Sequence, residues 1–328
     1  MGKRFLRSIV SDFQTLTASA DIQPLDLPVN PVGHLLLTVE GTQTTRATAG
    51  LYSAVADFVT GITDVSIRHR GENVLQGALA DLMMLSALLT GYHPWGLKID
   101  GDVGKVRSMT FLIPFGRKLF NGDECFPATT RGNLRFHMTA GALPASFSAR
   151  RWMLESLELI EAQPKRYLKA TTITHTPVAT GRRKIPLPIN NDILGILMFD
   201  PTVVTADAAT YNPVYAKLLK DNVEQYYPQS RMESLADAFG RREINAFMLG
   251  GHIHFAGQAI ASEVEENEFN KSEPPMQYSY LDFDPTHDGE YALETKGAST
   301  LDLDLDMGTG AGTSRFLPVE VMNVAAGA

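Results

Sequence analysis

His252 and His254 stand two apart in GGHIHFAG. On a strand that spacing turns both rings to one face, which is how a barrel wall can present two metal ligands. Such a site also wants a carboxylate a few residues on. Gln258 and Ala259 occupy that place and Glu263 lies too far along, so the pair reads as packed or surface histidines. Asp282, Asp284, Asp288 and Glu290 in DFDPTHDGE have the composition of a calcium loop, but Pro285 and the ligand spacing break the EF-hand pattern. Asp302, Asp304 and Asp306 alternate with Leu301, Leu303 and Leu305, which sets like charges ~7 Å apart on one face of a strand. Basic residues from another subunit would turn that ladder into an interface. Glu155, Glu158 and Glu161, three apart, read as a solvated helix face.

Nucleophilic and metalloprotease patterns are missing: there is no GxSxG, no HExxH and no Cys–His couple. The single cysteine, Cys125, excludes an intrachain disulfide framework and a Cys-based zinc cluster, and reads as an idle thiol. The expectation is a protein that is not an enzyme, with no catalytic residues, no metal and no cofactor.

The elements that would position these residues are mostly strands. Residues 277–307 hold two alternating runs, the second read as an edge or outer strand with one dry face and one wet face. An echo lies in 121–141. Thr130-Arg131-Gly132 precedes alternating Leu134, Phe136 and Met138, as Thr295-Lys296-Gly297 precedes the leucine–aspartate run. The two glycines are about half a chain apart, which points to two similar β-domains in tandem. Strands are further expected at 34–41, 62–70, 105–115, 167–176, 193–199, 244–255, 258–264 and 315–324, with a turn at 71–77.

Helix formers at 78–90, closed by Gly91, predict a helix. Tyr211 to Tyr227 reads as an amphipathic helix, and 231–239 as a possible one. Residues 50–60 and 151–162 fit helix or strand. Residues 2–17 carry Phe5, Leu6, Ile9, Val10, Phe13 and Leu16 at helical spacing behind Lys3, Arg4 and Arg7. That is either a helix packed on the body or a basic amphipathic helix on an anionic membrane, with Lys3, Arg4, Phe5, Leu6, Arg7 and Ile9 facing the lipid. Residues 21–33 hold three prolines and read as an extended linker.

The chain has 328 residues, enough for about two domains, with 44% hydrophobic and 20% charged residues. A formal net charge of −8 argues against broad or sequence-specific nucleic-acid binding. No window offers the ~18 apolar residues a spanning helix needs, and the N-terminus lacks a secretory cleavage pattern, so synthesis in the cytoplasm is expected. Many short strands, regular turns and a few inserted helices make an all-β protein of antiparallel sandwiches.

The arrangement resembles the major capsid proteins of tailless, membrane-containing icosahedral bacteriophages, the double jelly-roll family. The resemblance rests on the basic amphipathic N-terminus, on ITDVSIRHRGENVLQG leading into a helix, and on TGRRKIPLPINNDILGILMF at the junction. The C-terminal LDFDP, ALETKGASTLDLDLDMGTGAG and LPVEVM complete it. It implies two tandem jelly-roll β-sandwiches, the first at 34–180 and the second at 181–328, behind an N-terminal helix and linker at 1–33. It also implies a homotrimer forming a pseudo-hexagonal capsomer within a virion shell. The partners would be neighbouring capsomers, penton or minor capsid proteins, and an internal viral membrane reached through the N-terminus. The alternatives from the residues alone are a glycan-binding β-sandwich adhesin or spike protein and, on His252 and His254, a cupin-like metal enzyme.

Overall fold

The computed structural model describes residues 4–44, 55–92, 94–98, 103–201, 211–224, 226–232, 234–236, 277–308 and 312–324. His252 and His254, and the strands expected at 244–255 and 258–264, lie outside the described residues, as does Lys3. The chain divides into two compact units, the first running to Lys169 and the second starting at Ala170, with Asn323 and Val324 returning to the first. The sequence reading placed the junction near residue 180.

The first unit carries β1 Arg4–Thr15, β2 Asp21–Asp26, β3 Val32–Gln43, α1 Val55–Thr60, β4 Ile62–His69, β5 Glu72–Gly77, α2 Leu79–Thr90, β6 Trp95–Lys98, β7 Val106–Pro114, β8 Leu134–Ala140 and β9 Phe147–Ile160. β10, Arg166–Thr171, leads out of it. One sheet runs β1-β9-β3-β7-β6 and the facing one contains β2-β8-β4-β5 in that order. Alternation sends Leu35, Leu37, Val39, Phe111, Ile113, Val65, Ile67, Phe136 and Met138 inward, all at most 1% exposed, and Val39's ladder partner Met109 follows at 5%. Phe136 of one sheet stacks on Trp152 of the other, with ring centroids 6.1 Å apart. Arg150 is also buried, and its guanidinium donates to the Gly61 and Gly141 carbonyls at 2.6 and 3.1 Å. A Cβ at Gly61 would collide with its Nη1, so a larger residue there would have to displace the buried guanidinium.

The second unit repeats the plan. Its strands are β11 Ile173–His175, β12 Gly181–Pro186, β13 Asp192–Phe199, β14 Tyr215–Lys220, β15 Val223–Glu224, β16 Ser230–Arg231, β17 Tyr278–Asp282, β18 Leu301–Met307 and β19 Ser314–Asn323. One sheet contains β17-β13-β19, and the other runs β12-β18-β14-β15. Ile193, Ile196, Met198, Leu218, Leu281, Leu303, Leu305 and Phe316 fill the space between them. The order β12-β18-β14-β15 is the order β2-β8-β4-β5 again, and β19-β13-β17 matches β9-β3-β7.

The echo seen in the sequence is the same turn built twice. The Asn133 N–H donates to the Thr130 carbonyl and the Ala298 N–H to the Thr295 carbonyl, each at 3.0 Å. Gly132 and Gly297 sit between at φ 83° and 80°, the left-handed region a type II turn needs at its third position. The β4–β5 and β14–β15 hairpins also match. Arg70 and Gly71 have φ 53° and 90°, and Asp221 and Asn222 have φ 51° and 64°, as a two-residue turn with the strands' own twist requires.

Several expectations are corrected. Residues 4–15 form a strand, not an amphipathic helix. β9 offers them a row of backbone partners from Arg4↔Ile160 to Thr15↔Arg151, with register shifts between Ile9 and Ser11 and between Ser11 and Gln14, and β-branched Ile9 is at ease there. Most of 211–227 is hairpin, because Asp221 and Asn222 adopt left-handed φ where a helix would have to continue. Residues 232 and 234–236 are helical. The stretch 71–77 is mainly β5 rather than a turn, and β18 is an interior strand between β12 and β14, not an edge. The linker 21–33 contains β2, whose Pro24 falls where the register with β8 shifts between Ile22 and Leu25, so its missing N–H costs no ladder bond. At 151–162 the choice between helix and strand resolves to β9. At 50–60 it resolves to α1 over 55–60. The helix expected at 78–90 is α2, capped by Gly91 at φ 69° with its N–H on the Ala87 carbonyl.

Candidate assembly surfaces

The N-terminal strand is the edge of its sheet, and three of its apolar side chains stay wet. Phe5, Leu6 and Ile9 are 61%, 49% and 62% exposed. Phe5 meets Phe120, itself half exposed, at 5.4 Å between centroids, and Phe120 meets His34 at 5.7 Å. The positive charge beside them is partly answered within the chain. Arg7 grips Glu155 with Nε and Nη2 at 2.9 and 2.6 Å, and Arg4 lies 3.5 Å from Glu161. Ser8 and Asn30 both donate to Glu158. Glu155 and Glu158 are therefore buried anchors for β1, at 8% and 4% exposure. The reading of 155, 158 and 161 as a solvated helix face fails because a strand, not a helix, carries the first two.

Beneath Phe120, burial together with the nearby Arg7 cation lowers the His34 imidazole to about 4. Close by, Glu124 takes the backbone N–H and the Nε of Arg117 at 2.9 Å each, with Arg166 adding a bond at 3.1 Å. Burial pushes this carboxyl up, yet the bonds to Arg117 and the two guanidinium charges hold it below the ordinary carboxylate range. Cys125 is fully buried, and burial with the Asp123 and Glu124 charges pushes its thiol up to about 12. A thiolate nucleophile is excluded at neutral pH.

In the second unit, the aspartate ladder lies between two strands that supply its counter-charges. Asp304 stands opposite Lys184 on β12 and Lys217 on β14, with an Arg182 Nη1 at 4.0 Å; Asp306 stands opposite Arg182 and Tyr215. Arg182 is thus a basic partner of the ladder from this same chain, while the Lys217 ammonium pairs with Glu224 and that of Lys184 donates to Asn222. Asp302 differs, facing Pro186 and Leu219. The loop 282–290 is organised by its own backbone. Asp282 accepts from the Asp284 N–H, Asp284 from the Gly289 N–H, and Asp288 from the Glu290 N–H and the Thr286 hydroxyl, all between 2.6 and 2.8 Å. Asp221, which sequence reading passed over, accepts from the Ser299 and Thr300 N–H groups and the Ser299 hydroxyl. These donors depress its pKa. An Asp-Asn pair between alternating runs was the signal that could have found this turn.

No protein-family model matches the chain, and no curated protein matches it. Solved structures do match in fold. The MCP of STIV aligns over 98% of this chain and 97% of its own, with a TM-score of 0.65 at 12% identity. The major capsid protein P2 of bacteriophage PM2 aligns over 99% of both chains, with 0.58 at 10% identity. VP54 of PBCV-1 aligns over 100% of this chain and 96% of its own, with 0.55 at 10% identity. The chain thus has the double jelly-roll fold of these capsid proteins.

Proposed function

We propose that this chain is a major capsid protein whose work is structural and not enzymatic, and that it trimerises into pseudo-hexagonal capsomers tiling an icosahedral shell. The observation that carries this reading is the strand order repeated in both units, in a chain matched end to end by capsid proteins. A trimer of such a chain offers six similar sandwiches to a roughly hexagonal lattice. The fold alone would not specify a role; that the fold neighbours matched over nearly their whole length are capsid proteins supports this one.

The finer parts of the proposal follow the surfaces. The exposed residues Arg4, Phe5, Leu6, Arg7 and Ile9, with Lys3 before them, are assigned to an internal viral membrane, presented from both sides of an edge strand rather than from one face of a helix. Asp302, Asp304 and Asp306, with the basic residues around them, are assigned to a subunit-facing surface. Neighbouring capsomers and penton or minor capsid proteins are the other partners, the virion is the location, and synthesis is in the host cytoplasm. The test is electron microscopy and mass measurement of the purified protein, with flotation on anionic vesicles as a second arm. Trimers and hexagonal arrays are expected, and Phe5→Ser with Ile9→Ser should cut flotation while trimers persist. A monomer at every concentration would refute the shell reading, and undiminished flotation of the double variant would refute the membrane assignment.

A further inference from the structure

The sheet β1-β9-β3-β7-β6 has two faces. Leu35, Leu37, Phe111, Ile113, Trp152 and Leu154 point into the sandwich, so their neighbours Leu36, Leu112 and Met153 point away from it. These three are only half-buried. Beside them, Thr38 and Thr110 bond to each other through their hydroxyls at 2.9 Å. β3 and β9 also put Glu40, Arg151 and Glu155 on this face, and each is matched inside the chain. Arg151 donates to Glu40 at 2.6 Å, and Glu155 takes the Arg7 guanidinium. A partner would meet an apolar centre with a neutral polar margin, the make-up of an interface between proteins.

The second unit has the same face, made by β19, β13 and β17. Ile196, Met198 and Phe316 fill its core, so Leu197, Leu317 and Val319 point outward. Their exposures are nevertheless 0%, 1% and 0%. Leu197 and Leu317 stand directly opposite each other in the ladder, at the middle of that face. Equivalent faces of two similar sandwiches therefore differ. Within a single chain, one is closed to water and the other is left half open.

We infer that the outward face of β9-β3-β7 is closed by a second copy of this chain, packed on Leu36, Leu112 and Met153. This deepens the capsid reading and rests on it. Two units in each of three chains make six such faces in the ring. Three are closed inside the chains, and the other three need a neighbour. One heterologous contact, repeated around the ring, closes them and the ring together. The contact sets this face against a different surface of the neighbour, because the neighbour's equivalent face in its second unit is already covered. The occupant is a second copy because the ring then repeats, between chains, a burial that each chain already makes once.

The test uses the full-length protein. Met153→Cys places a thiol in the middle of the face, while the native Cys125 is fully buried and out of reach of reagents. The introduced thiol should react with a maleimide in dilute monomer, and at least about tenfold more slowly in trimers, where a packed interface excludes the reagent. Leu36→Glu with Leu112→Glu should raise the concentration needed for trimer formation at least about a hundredfold, because buried apolar anchors carry most of an interface's energy. Circular dichroism of each variant separates lost contact from lost fold. Trimers in which the Met153→Cys thiol stays as reactive as in the monomer would overturn this inference while leaving the shell reading intact. Protection that appears only on anionic vesicles would reassign the face to lipid and equally overturn it. A chain that never forms trimers would bring down the shell reading, and this inference with it.

Discussion

At the scale of single residues, the buried titratable groups act as braces. Glu124 holds Arg117 and Arg166, Glu155 holds Arg7, and nothing in their spacing along the chain announced this. Three-residue spacing of acids is common on helix faces, and only the strand β9 reveals that Glu155 and Glu158 are covered. His34 gives the sharpest pH signature. Its folded pKa, about 4, lies below its ordinary value of 6.5. The unfolded chain therefore binds a proton that the folded one refuses, so stability falls as pH drops from about 6.5 towards 4. The full effect is about 3 kcal/mol. Replacing His34 with Leu should flatten that part of the curve, read as the difference between wild-type and variant denaturation midpoints at pH 7 and pH 4. A difference independent of pH would show that the imidazole is not held neutral.

At the scale of elements, the two type II turns are matched enough to be tested as a pair. Gly132 and Gly297 both require left-handed φ, and around Gly297 a Cβ would meet nothing within 4 Å. Alanine there costs conformational energy rather than a clash. Each Gly→Ala change should destabilise its turn by about 1 kcal/mol, and by similar amounts at both sites. Chemical denaturation of the two single variants checks this, and an effect at one site only would mean the turns are not equivalent. These turns and the alternating strands after them were plain in the sequence. The hairpin at Asp221-Asn222 was not, because the apolar spacing of Val214, Leu218, Val223 and Tyr226 suits a helix. Backbone angles alone break that pattern.

For the whole molecule, β1 is the element whose loss should be felt furthest. Deleting residues 1–15 would bare the backbone edge of β9 and leave Glu155 and Glu158 without Arg7 and Ser8. Such an edge recruits strands from other chains. The truncated protein should therefore melt earlier and scatter light as concentration rises. A truncated chain that stays monodisperse with an unchanged midpoint would show that the edge is protected in some other way.

The sequence by itself determined a β protein of two similar halves. Period-two alternation and glycine at left-handed turns are local requirements, and each chain segment states them independently of the rest. Only the tertiary structure decided residues 4–15, 147–160 and 215–220. Their apolar residues fit a helix as well as a strand, and the deciding hydrogen bonds come from strands far away in sequence. Tertiary pairing also set which charges stand opposite one another: ladder register puts Asp304 across from Lys184 and Lys217, which linear spacing cannot express.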